Sequence, residues 1–195
     1  MTVTWQSLFV TTLRLPEEAA NFILSLQLSR SELWLSVLAA AALNALITGL
    51  SIVLMPLPAG WPNLFSNPLA YFVIVAGGLV LLGHVLTWSG RWIGGSGALD
   101  DLVKLMVWLQ LVRVVLQAFG LVLVVAAPVL GALYGLATGL LSLWILLNFV
   151  KVGHSLESLG SAALVLFATF VGMIIGLSLL LSLIGVGSLG VVPVV

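Results

Sequence analysis

The chain has 195 residues, of which 62% are hydrophobic and 6% charged, with six basic and six acidic side chains giving a formal charge of zero. Soluble domains average about 45–50% apolar and about 25% charged residues, so this composition excludes a water-soluble globular fold and suits one domain of a few packed membrane helices. The absence of cysteine removes disulfides, zinc thiolate sites, iron–sulfur clusters and cysteine nucleophiles, and no basic run points to nucleic acid or to a cluster of anionic lipids.

Charge is distributed as sharply as it is scarce. No Asp, Glu, Lys or Arg occurs from Leu33 to Gly90, from Val114 to Val150, or from Ser158 to Val195. A charge at mid-bilayer costs about 2.5–3.5 kcal/mol on insertion scales, so a chain dissolved in lipid must keep long stretches free of charge. The expected class is an all-α polytopic membrane bundle without a β-sheet.

In chain order, residues 1–31 come first and are not a span. Trp5, Leu8, Phe9 and Leu13 fall on one helical face, and after Pro16 the pattern returns at Ala19, Phe22, Ile23 and Leu26. This predicts one or two amphipathic helices, lying on the cytoplasmic leaflet or folded against the bundle. With no basic residue before Trp5 and two acids at Glu17 and Glu18, the segment does not read as a cleavable signal peptide.

A hydrocarbon layer of about 30 Å needs about 20 apolar helical residues. Five stretches within 32–184 qualify: 33–55, 69–90, 102–127, 129–150 and 159–184. Ser29 and Glu32 have capping-box spacing before the first. Pro56, Pro58, Pro62 and Pro68 bracket a charge-free loop holding Trp61. Gly94-Gly-Ser-Gly97 separates spans two and three, with Asp100 and Asp101 placed to favour the next helix N-terminus. Pro128 separates spans three and four, and residues 185–195 form a tail. Arg14, Arg30, Arg91, Lys104 and Lys151 all fall on one side of these spans, which the positive-inside rule makes cytoplasmic. The expected topology is N-terminus cytoplasmic and C-terminus on the opposite side.

Polar residues inside the spans are the candidate functional ones. Gln110, Arg113 and Gln117 share one face of the third span, with Arg113 about 20 Å along the helix from Asp100. The stripe reads either as a pathway with Arg113 as anion ligand, or as glue between helices satisfied by Asn44, Asn148 or a carbonyl. His84 sits about two turns inside the second span and reads as a satisfied core histidine, whereas His154 reads as a surface loop residue. That difference in depth argues against a bis-histidine haem. Gly131, Gly135 and Gly139 in the fourth span and Gly172 and Gly176 in the fifth form small-residue ladders that suit packing of spans four and five, or a homo-oligomer seam. The Gly94–Gly97 loop lacks a P-loop lysine–serine pair and follows a membrane helix, so no phosphate loop is expected. No catalytic set, metal site or cofactor site is expected.

Three stretches together resemble the bacterial branch of the Yip1 family. Leu13-Arg-Leu-Pro-Glu-Glu-Ala-Ala20 with Leu33-Trp34 is similar to its N-terminal preamble. Gly90-Arg-Trp-Ile-Gly-Gly-Ser-Gly97 with Asp100-Asp101, Trp108-Leu-Gln110 and Gln117 is similar to its central Gly-rich turn and following helix. Asn148-Phe149 through His154 is similar to the end of its fourth span. The resemblance implies a five-span helical membrane fold in a bacterial inner membrane, which makes the side of the C-terminus the periplasm. The long polar N-terminal segment and Asp-Leu-Tyr-Gly-Pro motif of eukaryotic members, which are linked to Rab GTPases, are absent, so Rab binding is not carried over. The leading expectation is a non-enzymatic membrane-organising factor or complex subunit, with Arg91, Asp100, Asp101 and Lys104 as its cytoplasmic contact surface. The alternative is a small transporter or channel lined by Arg113, Gln110, Gln117 and His84. Expected partners are membrane lipid and either other membrane proteins or a second copy, with no nucleic acid.

Overall fold

The structure, a computed structural model, describes residues 4–56 and 67–183, with backbone alone at 177 and 179–183. The Trp61 loop and the 185–195 tail lie outside the described residues. Seven helices and no strand occur among the described residues: α1 (Trp5–Arg14), α2 (Pro16–Ser25), α3 (Arg30–Leu54), α4 (Pro68–Trp92), α5 (Leu99–Ala126), α6 (Pro128–Gly153) and α7 (Leu159–Leu183). Five of them, α3 to α7, are long and apolar enough to cross a membrane.

Local chemistry explains where these helices start. Ser29 Oγ accepts from the Glu32 N–H, and the Ser29 N–H donates to Glu32 Oε2 at 2.7 Å, which satisfies two of the donors a helix start leaves open. Asn67 Oδ1 accepts from the Leu69 and Ala70 N–H groups at 3.0 and 3.1 Å. Pro16, Pro68 and Pro128 open α2, α4 and α6, where a missing N–H costs nothing.

The five long helices close a ring in the order α3–α4–α7–α6–α5, with α4 and α5 also touching across it. Charge marks the two ends of the bundle differently. Arg30, Arg91, Lys104 and Lys151 lie at one end, called the charged end below; the helix ends beyond Leu54, Pro68 and Ala126 form the charge-free end.

Packing follows the same polarity. Leu33, Val37 and Ala40 of α3, Leu86 of α4, Leu102, Val103, Leu105 and Met106 of α5, Ile145, Phe149 and Val150 of α6, and Ala162 and Val165 of α7 are all buried toward the charged end. There α1 and α2 add a further layer against α5 and α6, so seven helices share the cross-section. Leu8, Ala19, Ala20 and Ile23 are the apolar face with which this pair joins the core. Toward the charge-free end only α3 to α7 continue, and they part around a cavity.

Candidate functional site

The cavity has a volume of about 840 Å³ and is lined by α3, α4, α5 and α6. Its floor is the face of α5 that carries Gln110, Arg113 and Gln117, and Asn44 faces it from α3. Arg113 is residue fifteen of a 28-residue helix, about 21 Å from its start and about 20 Å from its end at 1.5 Å per residue. It stands at the middle of the span, exposed to the cavity. The ion pairs among the described residues are Lys104–Asp101 and Lys151–Glu17, so Arg113 is in neither. None of the lining residues is acidic.

Two helices, α5 and α6, are held together along one side of this space. The Tyr134 hydroxyl of α6 donates to the Leu116 carbonyl of α5 at 3.0 Å, and its ring meets Phe119 edge-on at 5.3 Å between centroids. A Cβ at Gly120 would stand 2.9 Å from that ring, so glycine is what lets the tyrosine lie there. Gly131 packs directly on the backbone and side chain of Val124. The small-residue ladder of α6 is therefore spent on α5 at its first member, while Gly135 and Gly139 line the cavity with nothing within 4 Å of a notional Cβ. In α7, Gly172 lies against Val85 of α4, and Gly176 meets nothing within 4 Å.

Other polar residues of the spans lie elsewhere. His84 is exposed on α4, away from the cavity, with Nδ1 2.8 Å from its own helix carbonyl of Val80. The expectation of a core histidine there is wrong, because position 84 faces outward from the ring. Asn148 is buried and donates to the Trp144 carbonyl at 2.7 Å, so it satisfies itself within α6 and leaves the α5 stripe alone.

The buried histidine is His154, fully enclosed just past the end of α6 and not at the surface. Its Nδ1 accepts from the Gly97 N–H at 3.2 Å and its Nε2 lies 3.1 Å from the Leu86 carbonyl, a pairing that requires the neutral tautomer protonated on Nε2. The Ser96 N–H donates to the His154 carbonyl at 3.1 Å. The turn between α4 and α5 thus wraps the imidazole: a Cβ at Gly97 would stand 2.6 Å from Nδ1, and one at Gly90 would overlap the ring. Gly94 turns the chain with φ +94°, a conformation glycine adopts without a Cβ clash. Burial pushes the His154 pKa down, the Leu86 carbonyl opposes that shift, and the Arg91 cation adds to it. With both ring nitrogens committed to backbone, His154 is a lock joining α4, the turn and α6. The signal for it in the sequence is the density of Gly90, Gly95 and Gly97, a backbone stripped for close approach by something else.

The charged end also holds the amphipathic pair in place. Trp108 Nε1 donates to the fully buried Thr12 Oγ1 at 2.9 Å, Trp5 stacks on Trp108 at 5.9 Å, and Lys151 Nζ reaches Glu17 Oε1 at 2.7 Å. Of the expected contact surface, Lys104 turns back onto Asp101 at 2.9 Å, Asp100 is half-buried and Arg91 is exposed. Thr12, Trp108 and Lys151 carry the docking, and their separation along the chain hides them from any local pattern.

An all-α multi-pass membrane protein with five spans is the class these features define. The family model of the Yip1 domain matches residues 11–180, and the chain belongs to that family. Among curated proteins and among solved structures nothing matches the chain.

Proposed function

We propose that the protein is a non-enzymatic membrane-organising factor that acts as a one-sided wedge, with the charged end in the cytoplasmic leaflet of a bacterial inner membrane. The observation that carries this reading is the rigid docking of α1 and α2 on one end of the bundle. Trp108 lies about 14 Å along α5 from Leu99, and a 28-residue helix of about 42 Å exceeds the hydrocarbon layer by about 6 Å at each end. With α5 centred in the layer, Trp108 lies about 8 Å inside the hydrocarbon boundary, and the Thr12–Trp108 bond ties Thr12 of α1 to that level, which supports a depth in the range of interfacial helices. Trp5 and Val10 of α1 and Leu15 just past its end remain 75%, 46% and 52% exposed beside the exposed polar Gln6, Ser7 and Arg14, giving apolar contacts for acyl chains within an interfacial surface. Seven helices displace lipid in one leaflet and five in the other.

Transport is the weaker reading. Below Asn44 and Leu109 the space is filled by Ala40, Met106, Ile145 and Phe149, all buried, so the cavity ends at the packed half, and His84 is not in it.

Reconstitution at increasing protein density tests the wedge. Vesicle diameters measured by electron cryomicroscopy should fall with density for the wild type and stay constant for Val10→Glu/Leu15→Glu, which replaces two of the exposed apolar contacts at α1 and its C-terminal end with charge. Equal diameters for both proteins would overturn the reading.

A further inference from the structure

We propose that the cavity around Arg113 is a binding site for a phosphate-class oxyanion, carried by a lipid headgroup or free in solution. This inference is independent of the wedge. It starts from a cation at the centre of a span with no ion pair among the described residues, in a lining that contains no carboxylate. A mid-membrane arginine left alone costs about 2.5–3.5 kcal/mol on insertion scales, and burying its charge is repaid only by a partner. The side chains around it are donors. Gln110 and Gln117 flank it on the same helix face. Asn44, 6% exposed as a residue, lies in the lining of the cavity and presents its carboxamide there. One turn further along α3, behind the lining, Thr48 Oγ1 is buried with no partner among the described residues.

Of the lining hydroxyls, Tyr134 donates to Leu116, and Ser51, Thr138 and Ser142 donate to carbonyls of their own helix, while the Tyr71 hydroxyl donates to no described residue. The unspent capacity is thus one guanidinium, three carboxamides and one phenol hydroxyl. That set matches an oxyanion, because guanidinium offers a planar fork of N–H donors that pairs with two phosphate oxygens at once. It does not match a metal cation, which the Arg113 guanidinium would repel and for which the lining offers no carboxylate to offset that charge. Leu116, Leu121, Val124 and Leu143 line the same space with apolar surface, which suits an amphiphile whose headgroup reaches Arg113. Because the packed half closes the inner end, the site holds its ligand and does not pass it across.

The test uses the full-length protein, delipidated in dodecyl maltoside, titrated separately with phosphatidylglycerol, with diacylglycerol of the same chains, and with inorganic phosphate. Binding is read by native mass spectrometry and by thermal unfolding. Phosphatidylglycerol should bind with saturable one-to-one stoichiometry and raise the unfolding temperature, and diacylglycerol should do neither. Arg113→Gln should weaken phosphatidylglycerol binding by about tenfold or more, and Arg113→Lys should restore part of it. Gln117→Leu, which keeps the cation, should weaken binding severalfold. Stabilisation by phosphatidylglycerol alone identifies the lipid as the source of the oxyanion, and stabilisation by inorganic phosphate with competition against the lipid identifies a free anion. If Arg113→Gln does not fold, the lipid pair on the wild type and on Gln117→Leu decides the matter. Equal binding of phosphatidylglycerol and diacylglycerol, or wild-type affinity in the Arg113 and Gln117 variants, would overturn the proposal.

Discussion

His154 and Arg113 show how differently two polar residues are accommodated in an apolar chain. The histidine is fully buried and uses both ring nitrogens on backbone groups, the Gly97 N–H and the Leu86 C=O, a helix carbonyl that also accepts from Ser89 Oγ. Protonation would put an N–H on Nδ1 facing the Gly97 N–H, two donors against each other. Its folded pKa is accordingly below the ordinary 6.5, by burial first and with Arg91 adding to it. The sign of the consequence follows from linkage. As pH falls below about 6.5 the unfolded chain binds a proton that the folded chain refuses, so stability declines until the folded pKa is passed. Unfolding in detergent followed by circular dichroism should show the wild type losing stability between neutral pH and about pH 5, with His154→Gln losing that dependence. Gly90→Ala should lower stability by about 1–3 kcal/mol at all pH values, since the new methyl overlaps the imidazole.

At the scale of the element, the docking of α1 and α2 rests on contacts of unequal weight. The Glu17–Lys151 ion pair is partly exposed on both sides, so its contribution lies at the small end of about 0–1 kcal/mol. The Thr12–Trp108 bond is buried, and Thr12→Val would leave the indole N–H without an acceptor at a cost of about 1–3 kcal/mol. Hydrogen exchange over residues 5–25 should therefore speed up strongly in Thr12→Val and little in Lys151→Ala, with α5 and α6 staying protected in both. How much of this was legible in the sequence depends on range. The amphipathic faces of α1 and α2, the Ser29–Glu32 box and the proline starts are local patterns and could be read directly. So could the shared face of Gln110, Arg113 and Gln117, because helical spacing alone puts them together. What joins distant segments could not: Thr12 finds Trp108, and Gly97 finds His154, through tertiary packing that leaves no periodicity behind. The α6 glycines mark close approach, but only the assembled ring assigns Gly131 to α5 and leaves Gly135 and Gly139 facing the cavity.

At the scale of the molecule, one asymmetry organises everything described. All the flanking basic residues, the His154 lock, the packed core and the amphipathic pair belong to one end; the cavity belongs to the other. The charge-free stretches made five spans readable before any packing was known, since no other solvent tolerates them. They could not reveal that packing density would differ between the two halves, because both halves are equally apolar in sequence.

The wedge makes a signed claim about this asymmetry, and curvature sorting in vesicles of mixed diameter tests it most directly. The chain has no native cysteine, so Glu157→Cys, exposed at the charged end, reports orientation through a membrane-impermeant maleimide. Molecules with the charged end on the outer, convex surface should be enriched on the smallest vesicles, and molecules in the opposite orientation should be depleted there. Equal density of both orientations across all diameters, or the reverse preference, would contradict the account.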